Sequence, residues 1–206
     1  MGSSPRVYLA RHGQTAYNLE GRFQGQLPVP LDDTGRAQAA ELAERAAAGA
    51  GGGAGGAGGT PFLALWCSPL LRARETADIV AARIGLEPHE DERLMETDAG
   101  DWTDRSFADV QAEAPDAFAA FAGGEPDFAF PGGESFAQQG IRVAAALAGI
   151  EQGALPALVV CHGGVIRIAI FQRVSRGVAM SERVPNGALI PLDEAAQRED
   201  AGGVAT

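Results

Sequence analysis

The sequence has no lysine. All 16 of its basic side chains are arginine, set against 27 acidic ones, for a net charge of -11 over 206 residues. An acidic chain without lysine lacks the diffuse positive field that non-specific nucleic-acid binding requires. A polybasic membrane-surface protein is excluded on the same ground. An anion bound here must be held by a few placed arginines against the overall field. Cysteine is also scarce: two residues, Cys67 and Cys161, do not make a disulfide framework, so a reducing compartment is the default. No apolar run reaches the roughly 18 residues that a membrane span needs. Met1 to Pro5 carries no apolar segment of signal-peptide type, and a cytoplasmic protein is expected. Among partners, this leaves small molecules, with no role for nucleic acid or membrane.

What is abundant is alanine and glycine, together a third of the chain. Hydrophobic content of 46% and charged content of 21% are nonetheless ordinary for a globular protein. Arg6 to Ala10 reads as a short strand that stops at Arg11-His12-Gly13. A turn-rich loop reaches Asp33, where Thr34 is the expected cap of a helix over Ala37 to Ala48. Gly49 to Gly59 is low-complexity glycine and alanine, read as a flexible insertion. Phe62 to Cys67 is an apolar run of buried-strand length. Ser68 and Pro69 then look like the cap and first residue of a helix, with an apolar stripe at Leu70, Ala73, Ala77, Val80 and Ile84. Glu87 to Asp101 reads as an acidic loop. One or two short helices are expected between Ser106 and Ala122, interrupted at Pro115. Ser135 caps a further helix, and Ala157 to Cys161 is a second continuous apolar strand ending at His162-Gly163-Gly164. A short helix over Val165 to Gln172 and a last strand over Ala188 to Leu192 complete the pattern.

Strands apolar on both faces that alternate with helices predict a three-layer α/β/α sandwich around a mostly parallel sheet. One catalytic domain is expected over residues 1–192, with the insertion at 49–59 and a polar tail at 193–206. In such sheets ligands bind beyond the carboxyl ends of the strands. Arg11-His12-Gly13, Ser68 and His162-Gly163-Gly164 each lie just past a predicted strand end, so the fold should bring them to one rim.

An arginine-histidine pair at that rim suits phosphoryl chemistry. A neutral imidazole attacks phosphorus in line and forms a phosphohistidine. Adjacent guanidiniums disfavour imidazolium and bind phosphoryl oxygens in a bidentate manner that lysine cannot match. The pair does not stand alone. Arg11-His12-Gly13-Gln14-Thr15 is followed by Asn18 and by Gly21-Arg22-Phe23-Gln24-Gly25. Later come Ser68-Pro69-Leu70-Leu71-Arg72-Ala73-Arg74-Glu75-Thr76-Ala77, Leu94-Met95-Glu96-Thr97-Asp98-Ala99-Gly100-Asp101-Trp102, Pro131-Gly132-Gly133-Glu134-Ser135 and His162-Gly163-Gly164. In this order and spacing the sequence resembles the histidine phosphatase superfamily, in its phosphoglycerate mutase-like branch, from about Arg6 to Leu192.

The resemblance implies roles. His12 is the nucleophile, Arg11 and Arg72 are phosphate-clamping arginines, and His162 is the second histidine on the phosphoryl group. Glu96 is the carboxyl group that protonates the leaving oxygen, and Ala99 and Trp102 are expected to shield it from water. Asn18 and Gln24 line the phosphate pocket, and Gly163 offers a backbone amide. No cofactor or metal is implied. His89 lacks ligand spacing, and a zinc site on His12 and His162 is the weaker alternative. Arg74 is expected to pair with Asp78, Cys67 and Cys161 to be buried free thiols, and Trp102 to pack beneath the acid loop. Arg22 and several phenylalanines are expected at the pocket mouth.

Glu96 is followed by Thr97-Asp98-Ala99-Gly100-Asp101-Trp102, which resembles the phosphatases of the branch rather than its mutases, and Gln14 stands where the mutases usually have glutamate. A phosphomonoesterase acting on a small phosphorylated metabolite is therefore expected. A 2,3-bisphosphoglycerate-dependent phosphoglycerate mutase is the alternative, and a phospholigand-binding protein without catalysis is a reading from another class. Trp102-Thr103-Asp104 departs from the Trp-Glu-Gly that phosphatases often carry. The alanine-rich helix faces leave a homodimer open.

Overall fold

Successive side chains of a strand point to opposite faces of its sheet, and here both faces are apolar. The computed structural model describes residues 6–50, 59–173 and 183–192. Its strands are Val7–Arg11 (β1), Ala64–Cys67 (β2), Pro88–Glu90 (β3), Ala157–Cys161 (β4) and Leu189–Pro191 (β5). They form one sheet in the order β3-β2-β4-β1-β5. The pairs β2–β3, β2–β4 and β1–β4 are parallel, and β5 runs antiparallel to β1. The helices are Ala16–Glu20 (α1), Asp33–Ala47 (α2), Leu71–Ile84 (α3), Phe107–Glu113 (α4), Pro115–Gly123 (α5), Phe136–Ile150 (α6) and Gly163–Arg173 (α7).

The alternation sorts the core into two halves. Tyr8, Ala10, Leu65, Cys67, Leu158 and Val160 face Leu42, Ala43 and Ala46 of α2 and Ala73, Ala77 and Val80 of α3. Val7, Leu9, Ala157, Val159 and Cys161 face Val143, Ala146, Leu147 and Ile150 of α6 and Val165, Ile166 and Ala169 of α7. This is the expected three-layer sandwich. Every residue of β4 is buried, as a central strand covered on both faces requires.

Local chemistry moved several element boundaries. α2 starts before Thr34, because Asp32 is the cap and accepts from Gly35 N at 2.7 Å. Aspartate caps as well as threonine does. Ser68 does not cap α3, where Leu70 holds the cap position without a side-chain bond. α1 falls in the stretch expected as a turn-rich loop, where Thr15 and Asn18 close a capping box around it. β3 lies within the stretch read as acidic loop. It is three residues long, begins with proline and sits at the sheet edge, where a polar strand is tolerated. Ser106 and Ser135 cap α4 and α6, and α4 and α5 part at Pro115. Gly49 to Gly59 falls largely outside the described residues, as does the tail from Asp193. At the base of that insertion Ala50 and Thr60 exchange two backbone hydrogen bonds of 2.7 and 3.0 Å.

The turn after β1 touches the start of α2 with no side chain between them. A Cβ on Gly35 would lie 2.0 Å from Gln14 O, and one on Gly13 would lie 2.2 Å from Gly35 O. Backbone cannot retreat as a flexible side chain does. Gly35→Ala is expected to lower stability by about 1–3 kcal/mol, read as an earlier denaturant midpoint. Gly123→Ala, whose Cβ would meet nothing within 4 Å, is the control. A Gly35→Ala midpoint equal to that of the parent would contradict the collision.

Candidate active site

The ladder continues past the strand ends and carries the polar residues with it. His12 N donates to Cys161 O at 3.0 Å, and Ser68 N donates to Val160 O at 3.0 Å. Arg11, His12, Ser68 and His162 therefore share one edge of the sheet. The rings of His12 and His162 lie 5.1 Å apart. His12 Nδ1 is 2.7 Å from Gly13 O. A carbonyl oxygen only accepts, so Nδ1 carries the proton and the Nε2 lone pair is left free. Burial holds the imidazolium of His12 well below its ordinary range, and the charges of Arg72 and then Arg11 press in the same direction.

Arg72 is 1% exposed. Its guanidinium donates to Leu27 O at 3.1 Å and to Gly25 O at 2.8 Å. Arg11 donates to Val184 O. Burial pushes both guanidiniums down to about 10, which leaves them charged at neutral pH. The Nε atoms of Arg11 and Arg72 and Nδ1 of His162 are buried without a hydrogen-bond partner. Buried donors of this kind are rare and call for an acceptor. On the far side of its ring, His162 Nε2 lies 2.8 Å from Ser68 Oγ.

The carboxyl group of Glu96 completes the group. Its Oε1 accepts from Thr97 N at 3.0 Å and from Gln139 Nε2 at 3.3 Å, and its Oε2 accepts from Gly164 N at 3.1 Å. A Cβ on Gly164 would stand 2.3 Å from Glu96 Oε1, so the second glycine of His162-Gly163-Gly164 makes room for the carboxyl group. The backbone of Glu96 is clamped as well: Arg142 Nη2 and Gln26 Nε2 each donate to Glu96 O at 3.2 Å. Arg142 also donates to Arg93 O and Met95 O. It is itself oriented by a two-pronged pair with Glu134 at 2.7 and 2.8 Å.

Arg11, His12, Asn18, Gln24, Arg72, Glu96 and Gly163 line one cavity of about 660 Å³. His162 stands behind that wall, fully buried. Asn18 and Gln24 are fixed through Thr15, whose hydroxyl lies 3.2 Å from Asn18 Oδ1 and 3.0 Å from Gln24 Oε1. The opposite wall carries Phe23, Phe107, Phe121 and Phe130. Phe128 lies in the core against Trp102 and Phe136. Trp102 is buried among four phenylalanine rings. Among the described residues, no group of three or more His, Cys, Asp or Glu side chains is placed to hold a metal ion.

The sequence profile of the histidine phosphatase superfamily (branch 1) matches residues 7–198. The chain belongs to that superfamily. Among relatives of this histidine phosphatase is glucosyl-3-phosphoglycerate phosphatase of Mycobacterium tuberculosis. The two are 36% identical over 171 residues, which cover 78% of this chain and 71% of the relative. Phosphoglycerate mutase-like protein 4 of Arabidopsis thaliana is 34% identical over 184 residues, 87% of this chain and 75% of that one. Among solved structures, a mycobacterial glucosyl-3-phosphoglycerate phosphatase complexed with VO3 superposes with a TM-score of 0.78 at 30% identity. The match covers 90% of this chain and 91% of that one.

Several site residues of this histidine phosphatase escaped the sequence reading. Asn186 Nδ2 donates to His12 O and to Asn18 Oδ1, both at 3.1 Å, and Thr76 Oγ1 accepts from Gly13 N at 3.1 Å. Gln139, Gly164 and Arg142 hold Glu96. Asn186, Gln139 and Arg142 fall outside the motif blocks, whereas Thr76, Glu134 and Gly164 lie inside them without an assigned role. The expected Arg74–Asp78 pair is present at 2.9 Å, and Arg74 also pairs with Glu90. Cys67 and Cys161 are free and buried. Burial pushes the Cys67 thiol up to about 12 and the Cys161 thiol further still, so neither is a thiolate nucleophile at neutral pH. Asp104, at the glycine position of the Trp-Glu-Gly pattern, adopts φ 69°. The left-handed turn is thus retained by an aspartate, a residue that tolerates it, with Arg22 and Tyr17 bonded to its carboxylate.

Two neutral buried histidines make stability depend on pH. Burial, Arg72 and Arg11 hold His12 well below 6.5, and burial, Arg72, His12, Arg11 and Arg142 do the same for His162. In the unfolded chain each takes up a proton near pH 6.5. Below that value the unfolded state binds more protons, so folded stability falls, by up to about 1.4 kcal/mol per pH unit for each histidine. Thermal midpoints are expected to drop between about pH 6.5 and 5, less steeply in His12→Gln. Parallel curves for the two proteins would refute the assignment.

Proposed function

We propose that this histidine phosphatase is a metal-independent phosphomonoesterase that hydrolyses a small phosphorylated metabolite through a phosphohistidine on His12. One observation carries the reading. Two buried guanidinium N–H groups, on Arg11 and Arg72, and the buried Nδ1 of His162 have no protein partner, beside an imidazole whose Nε2 lone pair is free. A phosphoryl group supplies acceptors for all three and an electrophile for the fourth.

In the first step His12 Nε2 bonds to phosphorus as the ester P–O bond breaks, and the departing oxygen takes a proton from Glu96. Arg11, Arg72 and His162 meet the charge on the phosphoryl oxygens. If Ser68 donates to His162 Nε2, the imidazole proton sits on Nδ1, the atom lacking a partner. The Nη groups of Arg72 are already tied to backbone carbonyls, so the guanidinium is rigid before substrate arrives. In the second step Glu96, now ionised, takes a proton from water as the water oxygen attacks phosphorus. The P–N bond breaks, and His12 and the Glu96 carboxylic acid are both regenerated. Asn18, Gln24 and Gly163 complete the lining of the phosphate pocket. The buried thiols suit a reducing compartment, which keeps the enzyme in the cytoplasm on this reading.

Phosphate release from a panel of phosphomonoesters tests the proposal. His12→Ala is expected to lose at least about 10³-fold in kcat, along with the acid-labile phosphoryl label that the parent traps; full activity in His12→Ala would end the reading. Dependence on 2,3-bisphosphoglycerate with little net phosphate release would favour the mutase alternative.

In kcat/KM, which reports the first step, Glu96→Gln is expected to lose about 10²–10⁴-fold on alkyl phosphates and much less on 4-nitrophenyl phosphate, whose leaving group needs no proton, while hydrolysis of the common phosphohistidine slows for both. Arg142 acts through Glu96 as a positioning residue. Arg142→Gln is therefore expected to share that leaving-group dependence at about 10-fold or more on alkyl esters, with KM little changed. Equal losses on alkyl and aryl esters would show that Arg142 has only a general structural role.

A further inference from the structure

α5 has a composition at odds with its surroundings. Its sequence, Pro-Asp-Ala-Phe-Ala-Ala-Phe-Ala-Gly, is dominated by alanine and phenylalanine, yet none of its residues is fully buried. Phe118 and Phe121 pack against the core with part of each ring left open, and partly open apolar surface beside a polar site marks a place where something binds. Here the surface faces the His12 cavity. Phe118, Phe121 and Ala122 line it, joined by Phe107 and by Leu19 of α1. Phe107 is 39% exposed and Leu19 76%. Phe23 packs edge-on against Phe107 and Phe121, at 4.5 and 5.2 Å between ring centres, and fixes both from beneath.

Polar groups at the same mouth are engaged with one another. The Tyr17 hydroxyl donates to Asp104, and Arg22 pairs with Glu20 and Asp104 and lies over the Tyr17 ring. Positive charge gathers at the other end, where Arg167 and Arg183 act on Arg11 through their fields. The cavity therefore has a cationic end at His12 and a carbon-lined end under α4 and α5. A sugar hydroxyl at the second end would lose water and gain few partners.

We infer that the alcohol portion of the substrate is an apolar, ring-bearing group, seated against Phe107, Phe118 and Phe121 while its phosphoryl group lies at His12. This rests on the phosphomonoesterase reading above and narrows it to a substrate class. Aromatic rings offer both area and edge-to-face geometry to such a group.

The test compares primary alkyl phosphates, so that leaving-group acidity varies little: 2-phenylethyl phosphate and hexyl phosphate against glycerol 3-phosphate, glucose 6-phosphate and 3-phosphoglycerate. The inference expects 2-phenylethyl phosphate to exceed the polar esters in kcat/KM by at least about tenfold, chiefly through KM. Phe107→Ser and Phe118→Ser should each shrink that ratio. A polar ester turned over best, or a ratio that neither variant moves, overturns it. A second arm is independent of turnover. Titration calorimetry on the His12→Ala protein measures binding of 2-phenylethylphosphonate and 2,3-dihydroxypropylphosphonate. Tighter binding of the phenyl compound supports the apolar seat whatever the catalytic mechanism, and equal or reversed affinities overturn it. Phosphate release that survives His12→Ala overturns the phosphohistidine reading instead, and the calorimetric arm keeps the two failures apart.

Discussion

Two guanidinium groups buried beside an uncharged imidazole set the terms for the rest of this site. On the proposed mechanism Arg11 and Arg72 stay charged to hold a phosphoryl group, and His12 stays neutral to attack it. Each requirement enforces the other, because the arginine charges that attract phosphate also repel a proton from the ring. The arrangement is costly in the empty protein, where desolvation works against both cations. It is tolerated because backbone carbonyls of Gly25, Leu27 and Val184 take several guanidinium protons. The donors left over are those that a phosphoryl group would satisfy.

The acid is held by quite different means. Glu96 sits outside the sheet, on a stretch whose shape is dictated by helices it does not belong to. α6 supplies Arg142 and Gln139, α7 supplies Gly164 N, and the Pro131–Ser135 loop supplies Glu134 to steady Arg142. His12, the proposed nucleophile, is thus fixed by strands, and Glu96, the proposed proton donor, by packing between helices. A change in how α6 lies against α7 would move one relative to the other.

This division explains which parts the sequence discloses. Strands β1, β2 and β4 are legible because continuous apolar runs need two covered faces, and their ends locate Arg11, His12 and His162 at once. Arg72 and Glu96 are legible through the motif blocks that carry the resemblance. β3 is not legible, because Pro88-His89-Glu90 is short and polar and owes its strand geometry to pairing with β2. α1 is hidden behind breakers, with a capping box that local composition does not advertise. Asn186 joins the site through two hydrogen bonds from a distant segment, and no local pattern encodes such contacts; Thr76 lies inside a motif block, but its bond with Gly13 N shows only in the fold. The same holds for Gly164, whose value lies in a missing Cβ beside a carboxyl group that arrives from elsewhere in the chain.

The His12–Gly13 hydrogen bond has a consequence for how such a protein can diverge. The acceptor that selects the reactive nitrogen is a main-chain oxygen. Side-chain exchange elsewhere in the pocket leaves it in place, and position 13 itself has no room for a side chain, so the tautomer is inherited with the course of the backbone. The phenylalanines under α4 and α5 are side chains, each open to exchange by single substitutions. On the proposed reading, drift can therefore rework the wall against which the substrate sits while the nitrogen that would attack stays where the fold puts it. Variation among descendants of this chain should then accumulate in the wall and leave the proton on Nδ1 untouched.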